Sequence, residues 1–259
     1  MMPKTLDVIK VVGEIHNELS KRDCKLFNLA ISGSHLYGFE SEDSDVDYRG
    51  TFVVNTNQLL GIRKPLDVIE LKIGENDIVL FELKKEIGLA LNSNCNVLEH
   101  INANQIFNLA AFVEFRQIIN NSFGKRGLYD SYHGLAEFNY KKFILQGRNT
   151  VKKYLYVFRA LMAGIHILQT GRIEANVEKL NAYFKLQSIK TLIKHKQMGK
   201  EFMELPIELQ NGTLEKDIDM LFERMDKAYE KCKIPDRPSE EDFDKVNKFT
   251  IGIRKDNMR

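Results

Sequence analysis

The chain has 259 residues, 43% of them hydrophobic and 29% charged, which excludes a disordered protein and allows one large core or two ordinary ones. Its 38 basic and 36 acidic residues leave a formal net charge of +2, so bulk charge argues neither for nor against a nucleic-acid partner. Cys24, Cys95 and Cys232 stand far apart with no metal-binding spacing, the pattern of reduced thiols in a cytoplasmic protein.

Residues 5–21 carry Leu6, Ile9, Val12, Ile15 and Leu19 at helical spacing, with acids among them that do not suit a secretory leader. The stretch "KLFNLAIS", 25–32, predicts a buried strand, and Gly33 and Ser34 follow it at once. Ser34 can cap a short helix through "HLYGF", and Gly38 can end it. Residues 45–54, "DVDYRGTFVV", predict the next strand, and 66–83 predict a hairpin turning at "GEN" whose second strand runs into a helix. Beyond residue 84 the spacing is helical, near 84–92, 105–120, 129–147, 151–169, 174–195 and 213–232. The apolar run "YLYVFRALMAGIHILQ" contains Arg159 and His166 and is too short to span a bilayer. "KIPDRPSEED", 233–242, reads as a linker before a last helix or tail. Strands early and helices late predict an α/β or α+β domain over 1–122 and a helical domain over 123–259.

"GSHLYGFESEDSDVDYRG", 33–50, holds the most chemistry. On a strand, alternate side chains share a face, so Asp45, Asp47 and Arg49 are expected together, with Val46 and Tyr48 opposite. Two carboxylates side by side repel unless a cation lies between them, and Mg²⁺ with phosphate oxygens suits that need. A strand–Gly–Ser–helix turn suits the phosphate, because glycine lets backbone approach closely. Each half alone is also an ordinary turn and an ordinary acidic loop. An EF-hand does not fit: counted from Asp45, position six is Gly50 but position twelve is Thr56 in place of glutamate.

The joint pattern resembles the nucleotidyltransferase signature of the DNA polymerase β superfamily: Gly33-Ser34, a spacer, then Asp45-x-Asp47. Within it, "GSHLYGFESEDSDVDYRG", "DIVLFELKKEIGLALNSNCNVLEHI" and "KKYLYVFRALMAG" are similar to the RNA-repair-associated (RlaP-type) branch. The resemblance spans roughly 25–170 and departs at Cys95, where the family often has proline. It implies a small mixed sheet followed by a mostly helical domain. It also implies transfer of a nucleoside monophosphate from a triphosphate to an acceptor hydroxyl, with RNA or a small molecule as acceptor. Two Mg²⁺ ions, or Mn²⁺ in their place, would sit on Asp45, Asp47 and a third carboxylate. Asp77 matches the family's position for that third acid; Glu82 and Asp67 are the other choices, and Glu82 faces the opposite way along its strand. Gly33 and Ser34 would hold the triphosphate.

Arg49 can reach a phosphate or neutralise the acids as a salt bridge. Lys152, Tyr156 and Arg159 fall at i, i+4 and i+7, a stripe expected to face the nucleotide, opposite a core stripe of Leu155, Phe158 and Met162. Lys141, Lys142 and Arg148 add positive charge nearby, which suits an acceptor strand. The alternative is a nucleotide-binding or regulatory module of the same fold without the chemistry. No membrane partner is expected.

Overall fold

The structure is a computed structural model and describes residues 5–41, 44–147, 150–199 and 204–258. Glu42, Asp43 and Arg148, all part of the sequence reading, lie outside the described residues. The elements begin α1 (Thr5–Ser20), β1 (Cys24–Ser32), α2 (Gly33–Tyr37), β2 (Asp47–Val54), α3 (Thr56–Leu60), β3 (Val68–Ile73), β4 (Asn76–Glu82), α4 (Leu83–Leu91), α5 (Cys95–Asn102), β5 (Gln105–Asn108) and α6 (Ala111–Asn120). They continue α7 (Lys125–Asn139), a π-helical turn (Tyr140–Ile144), α8 (Val151–Thr170), α9 (Val177–Phe184), α10 (Gln187–Met198), a short 3₁₀ turn (Ile207–Leu209), α11 (Thr213–Lys231) and α12 (Glu240–Asp256). Among the described residues no helix is long and apolar enough to cross a membrane.

The chain divides into two compact units, and each is visited more than once. Of the described residues, the sheet unit holds those within 5–33, 45–123 and 238–258, and the helical unit those within 34–44 and 124–237. Contiguous domains of 1–122 and 123–259 therefore miss two excursions: the loop between Gly33 and Asp45, and the return of α12.

In the sheet unit the strand order is β3-β4-β2-β1-β5. β2 and β4 run parallel, and the other neighbours are antiparallel. One face packs Tyr48, Phe52 and Val54 with Leu26, Leu29, Ile69, Ile78 and Leu80 against Val11, Ile15 and Leu19 of α1. Those helix positions recur every fourth residue, so α1 buries one stripe and leaves Ile9 in solvent. The alternate residues of β2, from Asp47 through Arg49 and Thr51, face the other way. α12 joins this unit through Phe249, stacked on Phe115 at 5.7 Å. Its end is fixed by Asn257, whose Nδ2 donates to the Val54 carbonyl at 2.8 Å, and Thr56 Oγ1 donates to the Arg254 carbonyl at 2.6 Å.

The helical unit is built around α8, which is buried nearly all round from Val151 to Leu168 and packs with α7, α9, α10 and α11. Close crossing depends on Gly164, where a β-carbon would stand 2.7 Å from Met225 Cε of α11 and 2.8 Å from Tyr132 Cβ of α7.

Several predicted boundaries shift. The helix expected over 105–120 is β5 followed by α6; β5 exists through its pairing with β1, Leu29 opposite Phe107, which no local pattern reports. The helix expected over 174–195 is α9 and α10, broken at Lys185 with φ 60°. There the Asn181 side chain bonds both the amide and the carbonyl of Leu186. β2 begins at Asp47, so Asp45 precedes the strand rather than lying in it.

Candidate functional site

Gly33 joins β1 to α2 with φ +62°, and a β-carbon there would lie 2.0 Å from Asp47 Oδ2. Both facts require glycine: the left-handed backbone, and main chain laid directly against a carboxylate. The strands place that carboxylate. Asp47 pairs with Ser32 of β1 on one side and with Asp77 of β4 on the other. Paired residues of parallel strands point to one face, with backbones about 5 Å apart. Asp47 and Asp77 are therefore neighbours on one face, and Lys72 of β3 stands opposite Asp77.

Asp45 is exposed, two residues earlier. Val46 between them packs on the apolar core, so the two aspartates flank an inward side chain, although the pleat does not set Asp45. Arg49 Nη2 lies 3.6 Å from Asp47 Oδ1, and Arg49 Nη1 donates to the Tyr48 carbonyl at 2.9 Å. Of the two readings of Arg49, the salt bridge is the one visible here. Among the described residues no three His, Cys, Asp or Glu side chains gather as a group that could hold a metal.

The other candidate acids are placed elsewhere. Glu82 pairs in register with Phe52, at the opposite parity to Asp47 and Asp77. Its carboxylate caps α4 by accepting from the Lys84 amide at 2.8 Å and pairs with Arg254 of α12. Asp67 precedes β3 and pairs with Lys64 at 3.6 Å. Its carbonyl accepts from the Glu82 amide, which puts it at the far end of β4 from Asp77.

Further along the Asp47 face lies a buried polar group absent from the sequence reading. Glu86 of α4 accepts from Thr51 Oγ1 and meets His100 Nε2 of α5. Phe81 stacks on the imidazole at 6.4 Å. Isolated Glu and His codes give no sign of this; it needs two helices laid on the sheet.

In the helical unit, α2 is held by aromatic packing. The Arg159 guanidinium sits 3.9 Å above the Tyr37 ring and 5.9 Å from that of Tyr156. Tyr37 and Phe39 both meet Tyr156 edge-on at 5.8 Å. Lys152 and Tyr156 are half-buried, but Arg159 is only 1% exposed. The expected stripe is thus not an open face: Arg159 is inside, against Tyr37 at the end of the helix that carries Ser34. The same loop is held again by Lys196, fully buried on α10, whose Nζ donates to Ser41 Oγ at 2.6 Å. Ser41 and Ser44 then bond each other at 2.9 Å.

Over residues 9–252 the chain matches the family described as RlaP, RNA repair pathway DNA polymerase beta family. The chain belongs to that family. The match runs well past residue 170, where the motif resemblance ended, so α9 to α11 and most of α12 are part of the RlaP body. The chain is similar to the uncharacterized protein YcgL of Bacillus subtilis (strain 168), 28% identical over 226 residues, covering 83% of this chain and 86% of the relative. It is also similar to the uncharacterized protein MJ0002 of Methanocaldococcus jannaschii, 31% identical over 153 residues, covering 57% of this chain and 62% of that one. A crystal structure of a nucleotidyltransferase-like protein from Exiguobacterium sibiricum 255-15 overlaps 96% of this chain and 80% of its own. Its TM-score is 0.30 at 11% identity, a likeness too slight to build on.

Proposed function

We propose that this RlaP-family chain is a nucleotidyltransferase that moves a nucleoside monophosphate from a nucleoside triphosphate to an acceptor hydroxyl and releases pyrophosphate. The observation that carries this reading is the register of β2 and β4, which makes Asp47 and Asp77 neighbours while Gly33 lays its backbone against Asp47. The donor type fits the cation that this chemistry uses: Asp47 and Asp77 offer carboxylate oxygens at the starts of β2 and β4, with none of the soft ligands that would select another metal, although no third acid is gathered with them among the described residues. Asp45, Asp47 and Asp77 would hold Mg²⁺, or Mn²⁺. When bound, two such ions supply Lewis-acid stabilisation of charge at the triphosphate and at the acceptor oxygen.

The chain's own residues divide the remaining work. Gly33 and Ser34 hold the outer phosphates, and Arg49 screens Asp47 or turns to a phosphate. Asp77 receives the proton of the acceptor hydroxyl as its oxygen bonds to the α-phosphorus. The bond from that phosphorus to the bridging oxygen breaks, and pyrophosphate departs with the electron pair. Within the helical unit, Arg159 orients α2 through Tyr37. The acceptor is RNA or a small molecule.

Pyrophosphate release from each of the four nucleoside triphosphates, with RNA and with small-molecule pools, tests the reading. Wild-type release that needs Mg²⁺ and is lost in Asp47→Asn supports it. An Asp45→Asn, Asp47→Asn variant with full Mg²⁺-dependent release would sink it. Nucleotide binding with no release under any acceptor would instead make the chain a binding module on the same fold.

A further inference from the structure

A second surface, confined to the helical unit, is built around the π-helical turn that follows α7. The turn inserts an extra residue into the helical winding. Phe138 sits just before it, and Lys141, Lys142 and Phe143 sit within it. Phe138 is 53% exposed, and Leu145 beyond the turn is 63% exposed. The Phe138 and Phe143 rings stand at 87° with centroids 6.4 Å apart. Lys142 Nζ lies 4.8 Å from the first ring and 5.6 Å from the second. Lys153, from the first turn of α8, lies 3.7 Å over Phe143.

The charge here is one-sided. Lys141 is answered by Glu137 at 2.7 Å. Among the described residues, Lys142 and Lys153 form no ion pair and rest on rings instead. Burial, then Lys152, then Lys142 hold the Lys153 ammonium below the usual lysine range, as expected where cations crowd without enough anions. An ammonium over a ring is a modest attraction at an exposed site. Large apolar rings in solvent cost free energy unless a partner covers them. The partner that fits must bring negative charge at regular spacing and flat apolar faces together.

We infer that the Phe138–Phe143–Lys142–Lys153 surface binds a single-stranded polynucleotide, whose bases stack on the two rings and whose phosphates draw the lysine ammoniums off them. A duplex fits less well, because its bases are already stacked on each other and present only phosphates. A protein with an acidic face would pair the lysines and leave the rings uncovered. That this strand is also the acceptor rests on the nucleotidyltransferase reading; that it binds does not.

The test is fluorescence anisotropy of a labelled 12-mer oligouridylate with the full chain, in the Asp47→Asn background so that no transfer occurs. Unlabelled duplex of equal length and heparin serve as competitors, and melting curves check each variant. The single strand should bind in a salt-dependent manner and resist displacement by duplex. Phe138→Ala, at the more exposed ring, should weaken it about tenfold, the loss of one stacked base, while heparin affinity stays unchanged. Lys142→Gln with Lys153→Gln should weaken both and flatten the salt dependence by about two phosphates' worth. No binding of the single strand, equal preference for duplex, or a folded Phe138→Ala that binds the single strand as wild type overturns the inference. A wild-type result in the lysine pair does the same. Loss of transfer with binding intact in Asp47→Asn separates this site from the aspartates.

Discussion

At Gly33 a β-carbon would meet Asp47 Oδ2 at 2.0 Å on a backbone with φ +62°. Gly33→Ala should cost about 1–2 kcal/mol from the left-handed backbone alone, and more from displacing the carboxylate. Transfer activity should therefore fall further than thermal stability does, read as rate per folded molecule beside a melting curve. Arg159 behaves in the opposite way. Its guanidinium is buried against Tyr37, so Arg159→Ala leaves a void and a loosened α2. A loss of about 2 kcal/mol or more is expected, visible as a lower urea midpoint; an unchanged midpoint would show that Arg159 faces outward after all. The cysteines offer a third check at this scale. Burial, then Asp23, then Glu82 push the Cys24 thiol up to about 11, and Cys95 is buried. Iodoacetamide at pH 8 should alkylate Cys232, which is partly exposed, and leave Cys24 and Cys95 untouched in the folded chain, as peptide mass spectrometry would show.

At the scale of elements, α12 depends on Glu82. The pair with Arg254 is largely out of water, with side chains 6% and 11% exposed, and Glu82 also caps α4. Glu82→Gln should cost about 3 kcal/mol, because it leaves a buried guanidinium without its carboxylate, yet leave the rate per folded molecule near wild type. Elements are also where the sequence reads well or badly. The turn at Gly33 and the hairpin through Gly74 are legible because both are local, whereas the placing of Asp77 beside Asp47 rests on the parallel pairing of β2 with β4, which the hairpin does not set. The two-excursion division of the chain is not legible, since α12 is joined to the sheet by contacts some two hundred residues apart, such as Asn257 to Val54. Lys196 with Ser41, 155 residues apart, is hidden for the same reason, and Glu86 with His100, only 14 apart, is hidden because its burial leaves no local sign. A lysine or glutamate reads as surface charge until the fold buries it. The stripe of Lys152, Tyr156 and Arg159 misleads because helical spacing reports that residues share a side, not whether water or another helix covers that side.

For the whole molecule, the chain leaves the sheet unit after Gly33 and re-enters it at Asp45. Gly33 and Asp45 are thus the last and first residues of the sheet unit at that crossing, and within the helical unit Arg159 holds Tyr37 and Lys196 holds Ser41. The account makes Asp77 the acid that serves the acceptor, beside Asp47 in register, and makes Glu82 a structural residue. Single-turnover transfer from an α-labelled triphosphate, measured beside equilibrium nucleotide binding for Asp77→Asn and Glu82→Gln, tests that claim most directly. The account predicts that Asp77→Asn slows transfer by about a thousandfold or more while nucleotide affinity stays within about twofold, and that folded Glu82→Gln turns over normally. Wild-type transfer by Asp77→Asn, or loss of transfer in Glu82→Gln with its fold intact, would contradict it.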